Sequence, residues 1–261
     1  MRGPGYYCRT LNYSGAAVDR CMQILGYWKP GMDAAEIYEK MLSEGREAKF
    51  SASSLRHAVS EVFKLRFLSE EALPWTKTLK QARHTLYSAA VEQICFLLTA
   101  RCEAMLTDFL IKEYWPRVRH GDLQITADIL SAFLSLAVSE GIGGGKWTES
   151  RFNRATRSLS AVCAGFHLIK RNSTGWKITP PKLLNEIALF LAYELKDRGL
   201  KTASDICSHK DWPLYGLGPE AVKGFLTQSY FGSYFVIPDD MKGLVVWRFD
   251  SLSAAVDHYV S

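Results

Sequence analysis

Seven basic side chains crowd into the thirty-two residues from Lys146 to Lys177, with Glu149 the only acid among them. They are Lys146, Arg151, Arg154, Arg157, Lys170, Arg171 and Lys177. Guanidinium and ammonium groups gathered on one element are the electrostatic footprint of a polyanion partner, because each neutralised phosphate releases condensed counterions. Elsewhere the charge is nearly balanced. Residues 1–75 carry ten Lys and Arg against nine acids, 76–120 seven against four, and 182–261 eight against ten. The formal net charge of +5 is therefore concentrated locally.

The spacing around those cations predicts how they are presented. A helix capped by Thr148, with Glu149 in its first turn, extends to about Gly165. On a helical wheel Phe152, Ala155, Leu159, Val162 and Cys163 share an arc of about 100°. Arg151, Arg154 and Arg157 occupy a separate arc, with Ser150, Asn153 and Ser158 among or beside them. Beyond the helix, residues 166–170 and 176–179 alternate around the turn residues Asn172 to Gly175, predicting a β-hairpin that carries Lys170, Arg171 and Lys177. An exposed helix face with arginine forks, followed by a basic hairpin, suits a duplex groove and its phosphate backbone. The bland alternative is a solvated or protein-facing surface, since surface arginines at this spacing are common.

Other constellations carry less. Lys49, Arg56, Lys64 and Arg66 form a weaker basic set diluted by Glu47 and Glu61. Lys112, Arg117, Arg119 and His120 lie at the end of a long predicted helix, where its dipole accounts for them. The run at 141–146 ends Gly-Gly-Lys but is not a phosphate loop: Glu140 stands where its first glycine belongs, Trp147 follows the lysine, and a helix precedes it. The acids of 238–242 sit in one tight turn, whereas metal-dependent nucleases draw theirs from converging strands. Six histidines lack H-x-x-x-H spacing, and the six cysteines form no C-x-x-C pair. No catalytic residue, metal ligand or cofactor is assigned, and no small-molecule substrate is inferred. Cys95, Leu98, Cys102 and Met105 read as a core stripe; Trp176, Trp212 and Trp247 read as core anchors.

The chain that must position these residues has 261 residues, 48% of them apolar, and predicts a folded, mainly α protein. The most apolar window, 94–111, contains Arg101, Glu103 and Asp108, so no membrane span is expected. The N-terminus lacks the apolar stretch of a secretory signal, which makes the cytoplasm the expected compartment. Three units are predicted. Residues 1–75 form a three-helix module of helix-turn-helix size, with helices over 14–27, from Asp33 to about Gly45, and from the serines at 51–54. Residues 76–181 hold a long helix from Thr78 to Trp115 ended by Pro116, a helix over 126–139, and the basic helix and hairpin. Residues 182–261 repeat that plan, with helices over 182–198, 202–207 and 219–230, a hairpin joining 233–237 to 244–249, and a last helix from Ser251. The expected fold class is mainly α, with helix-turn-helix or winged-helix-like units and two short β-hairpins.

Four segments carry a family resemblance: NYSGAAVDR at 12–20, LAYELKDRGL at 191–200, DICSHKDWPLYGL at 205–217 and VVWRFDSLSAAVDHYV at 245–260. With them the chain resembles BrxA, a small component of bacteriophage exclusion (BREX) defence systems. The resemblance implies a modular, mostly helical, non-enzymatic protein that binds double-stranded DNA and works with other defence-system proteins. It carries over no functional residues, so the candidate site remains the basic helix and hairpin. The C-terminal unit, with Lys223 its only cation in the equivalent helix, is the better candidate for docking another subunit. The rival readings are a protein-interaction scaffold and a winged-helix transcription regulator.

Overall fold

The computed structural model describes residues 17–44, 51–142 and 146–261. Ser14, Gly45, Glu47, Lys49 and the glycines at 143–145, which entered the sequence reading, lie outside these residues. The fold is mainly α, with two small antiparallel sheets. One continuous apolar core runs from Cys21 to Val256.

In the N-terminal region α1 (Ala17–Tyr27) and α2 (Ala34–Ser43) pack on a third helix. Asp33 accepts from the N–H groups of Ala35 and Glu36 while Glu36 accepts from the Asp33 N–H, a closed capping box that fixes where α2 starts. Ser51 caps α3 (Ala52–His57), which continues through a π-helical turn, Ala58–Phe63, into α4 (Lys64–Phe67). Of the weaker basic set, Arg66 is buried and meets Glu103 at 3.4 Å.

The single helix expected from Thr78 to Trp115 is instead α5 (Leu73–Ala82), α6 (Ser88–Cys102), α7 (Ala104–Phe109) and a π-helical turn, Leu110–Tyr114. Tertiary contacts override local periodicity here. Leu86 is buried in the turn between α5 and α6, and Glu103 leaves helical geometry at φ −106°, ψ 87° with its carboxylate on Arg66. The Thr107 hydroxyl donates to the Ala100 carbonyl at 2.6 Å beside that break. The break also turns Cys102 outward, so the expected core stripe keeps Cys95, Leu98 and Met105 but loses Cys102 to the surface. Nor does Pro116 end the helical run. It follows directly on the π-helical turn at the start of α8 (Trp115–His120), and Gly121 at φ +74° supplies the actual stop. Lys112 and Arg117 are paired with Asp108, Glu113 and Asp122, in keeping with a local role for that cluster.

A short strand unforeseen in the sequence, β1 (Gln124–Ile125), precedes α9 (Ala127–Ser139), α10 (Glu149–Gly165) and the hairpin β2 (Ile169–Asn172) and β3 (Gly175–Ile178). The sheet order is β1-β3-β2, all antiparallel. The C-terminal region follows the same element order. There α11 (Asn185–Asp197) precedes a bridge between Thr202 and Leu244, then α12 (Ala203–Cys207), α13 (Pro219–Leu226) and the hairpin β4 (Phe235–Val236) and β5 (Val246–Trp247). The helix expected over 219–230 stops at Leu226 and gives way to a 3-10 turn, Ser229–Ser233, that stacks Phe231 on Phe235. Ser251 caps the last helix, α14 (Leu252–Val260), which packs on α5 and α11.

The two regions meet at Trp115, whose indole N–H donates to the Leu214 carbonyl at 2.9 Å. Gly216, at φ +76°, lies under that indole, and a Cβ placed there would come within 2.5 Å of the ring. Gly216→Ala combines a disfavoured backbone conformation with overpacking and is expected to cost about 2–4 kcal/mol in urea unfolding. A loss below about 0.5 kcal/mol, the range of ordinary surface changes, would show that this joint yields freely.

Candidate nucleic-acid interface

The residues of α10 divide as an amphipathic helix requires. The Thr148 hydroxyl accepts from the Arg151 N–H at 3.3 Å, starting the helix where the sequence predicts. Leu159, Val162 and Cys163 are buried, and Phe152 and Ala155 pack at the edge of the core. Arg154, Arg157, Ser150 and Asn153 are exposed. The Arg157 Nε donates back to the Asn153 carbonyl at 3.2 Å, holding its guanidinium along the helix surface. Arg151 is half-buried, with its guanidinium 4.7 Å from the centre of the Trp147 ring. Its aromatic contact separates it from the two outward arginines, although the wheel groups all three. Lys146 is exposed just before the helix.

The hairpin splits its cations between two faces. Lys170 and Lys177 are directly opposite one another across β2 and β3, and Gln124 of β1 pairs with Lys177 on its other side. These three therefore share the outward face. Ile169 and Ile178 form the buried face, to which Arg171 and Trp176 also belong by alternation. Arg171 escapes burial at the hairpin end, its guanidinium 5.6 Å from the centre of the half-buried Trp176 ring. Gly175 is required where β1 passes, since at φ +146° a Cβ would lie 2.5 Å from the Ile125 carbonyl oxygen.

Electrostatics makes the outward face unusual. Like charges directly opposite on a strand pair are destabilising. Among the described residues Lys170, Lys177, Arg154, Arg157 and Arg171 form no ion pair. Sequence reasoning missed the polar group beside the lysines: Gln124 donates to the Thr174 hydroxyl at 3.0 Å and accepts from the Asn172 amide at 3.1 Å. Asn172 and Thr174 carry only turn signals in the sequence, and Gln124 belongs to a strand of two residues, too short to alternate.

Other residues weighed for chemistry have local roles. Asp240 accepts from the Lys242 N–H at 2.9 Å within its own turn, and the Asp239 carbonyl accepts from Lys223. Among the described residues no group of three or more His, Cys, Asp or Glu is placed to hold a metal. Trp212 is fully buried with its indole N–H on the Ile206 carbonyl at 2.6 Å, whereas Trp176 and Trp247 are half-buried. No described helix is long and apolar enough to cross a membrane.

Neither a curated protein nor a solved structure matches the chain. A family model, described as BrxA, matches residues 6–194, from before α1 into the last turn of α11. The match takes in the whole of the basic helix and hairpin. The segments 205–217 and 245–260, two of the four that carry the resemblance, lie beyond it. With well over half of its length matched, the chain belongs to the BrxA family, components of bacteriophage exclusion (BREX) defence.

Proposed function

We propose that this chain is a non-enzymatic accessory protein that binds double-stranded DNA with little sequence preference. In this reading residues 124–178 act as a winged-helix-like unit, α10 entering or lining a groove and the β2–β3 hairpin lying along the backbone. The observation that carries it is the pair of uncompensated cationic faces, Arg154 with Arg157 on α10 and Lys170 opposite Lys177 on the hairpin. The order strand, helix, helix, hairpin within these residues supports it, with Arg154 and Arg157 of the second helix and Lys170 and Lys177 of the hairpin exposed. Sequence tolerance follows from the side chains. Arginine can read guanine, but no acidic, Asn or Gln set is arrayed on α10 to specify a longer site.

Binding to a duplex of mixed sequence tests this. If about four to six phosphates are neutralised, log affinity against log salt falls with a slope of about −4 to −5. A flat salt dependence would remove the DNA assignment.

A second reading, docking to another defence subunit, has its own observation. On the C-terminal hairpin Val236 and Val246 face each other across the strands as the two lysines do, and with Leu244 two residues before Val246 they are 47%, 63% and 64% exposed. The outward face of this half-solvated sheet is apolar where the first unit is cationic. Partners held there are retained in high salt after nuclease treatment, whereas partners tethered through DNA are lost.

A further inference from the structure

Tyrosines from three separate segments gather around Glu186, in the first turn of α11, and two of them donate to its carboxylate. Tyr87, just before α6, donates to Glu186 Oε2 at 3.3 Å, and Tyr259 of α14 donates to Oε1 at 3.4 Å. Tyr230 and Tyr234, at the 3-10 turn, stack on each other with ring centres 6.1 Å apart. Both feel the Glu186 charge. Glu186 is half-buried and forms no ion pair with any described residue.

Burial first, and then the Glu186 carboxylate, raises all four phenols, Tyr259 to about 12. The two hydroxyl contacts are long for O–H···O bonds, and a carboxylate has about four lone-pair sites. Acceptor capacity is left over, beside rings whose faces attract cations.

We propose that Glu186 with Tyr87, Tyr230 and Tyr259 is a receptor for a cationic side chain, the guanidinium of Arg or the ammonium of Lys, presented by a protein partner. Charge complementarity selects that partner. Glu186, Tyr230 and Tyr259 lie in residues 182–261, which carry ten acids against eight Lys and Arg, a balance that favours a basic protein surface over a polyanion. Tyr87 is 48% exposed, so the rim is open to an incoming side chain. The inference is independent of DNA contact, which uses another face and other residues.

The test is titration of the full chain, with labelled tyrosine rings followed by NMR, using acetyl-Gly-Arg-Gly-amide and acetyl-Gly-Lys-Gly-amide. Acetyl-Gly-Gln-Gly-amide is the neutral control, and tetramethylammonium chloride is the small-cation control. Saturable shifts of Tyr87, Tyr230 and Tyr259 are expected with the Arg and Lys peptides. Apparent affinity should be at least tenfold weaker with the Gln peptide, with Glu186→Gln, and with Tyr87→Ala, a change at an exposed position that spares the core. Absence of saturable shifts, or equal shifts with the Gln peptide or in both variants, overturns the site. Tetramethylammonium binding more tightly than either peptide overturns the assignment to a partner's side chain.

Discussion

Reversing two charges on α10, Arg154→Glu together with Arg157→Glu, is expected to weaken binding to a mixed-sequence duplex by about 100-fold or more at physiological salt. Each lost phosphate contact removes about one counterion from the release term, so the salt slope should become shallower by about 2. The two new carboxylates add repulsion from the backbone, which raises the loss above that of simple neutralisation. Both arginines are exposed and unpaired, so thermal unfolding should move little. Sequence dependence offers a further reading of the same titration. If the arginines contact phosphate, the loss is nearly uniform across duplexes; if either reads guanine, it is larger on sites that carry it. Unchanged binding would remove α10 from the interface and leave the hairpin lysines without their companion helix.

How far the interface could be read from sequence depends on how local its causes are. The start of α10 is legible because a threonine cap, a first-turn acid and an apolar arc all lie within one stretch of chain. The Lys170–Lys177 pairing is legible only as a hairpin; that the two ammonium groups face each other depends on a register fixed by Asn172 opposite Gly175. β1 is invisible because it owes its existence to partners fifty residues away, Trp176 and Lys177. The long helix fails for the same reason. Its breaks near Leu86 and at Glu103 answer to burial and to Arg66, neither of which leaves a turn residue in the sequence. Pro116 misleads because the helical run continues through it out of a π-helical turn, and Gly121 is the better stop signal. Glu186 and its tyrosines come from four distant segments and carry no motif at all.

The largest stability effect is expected at Arg101, which no local pattern singles out. Its guanidinium takes both Glu194 oxygens, at 2.8 and 2.6 Å, and Asp211 Oδ2, at 2.9 and 2.6 Å. All three side chains are nearly fully buried. Burial alone would lower the Arg101 pKa, but the hydrogen bonds and charges of the two carboxylates raise it. Arg198 meets Glu194 from the outside at 2.6 Å. Arg101→Ala takes the shared guanidinium from two buried carboxylates, leaving Glu194 with Arg198 and Asp211 with the His209 contact at 3.4 Å, and is expected to cost about 3–5 kcal/mol in denaturant unfolding, enough to threaten a domain of ordinary stability. Replacing all three, as Arg101→Met with Glu194→Met and Asp211→Leu, removes the stranded charge and should recover most of that loss. A mild effect of Arg101→Ala would mean that water reaches the carboxylates. The network also decides what the damage does. Arg101 lies on α6, Glu194 on α11, and Asp211 just before the turn that carries Trp212, so the network joins the central helices to the C-terminal unit. Below its unfolding midpoint the Arg101→Ala protein should keep its affinity for DNA, because α10 and its hairpin pack on a different part of the core. The α10 reversal should do the opposite, weakening DNA binding by about 100-fold or more in a protein of nearly unchanged stability. If both variants lost DNA affinity together, the basic face would depend on the C-terminal unit for its shape.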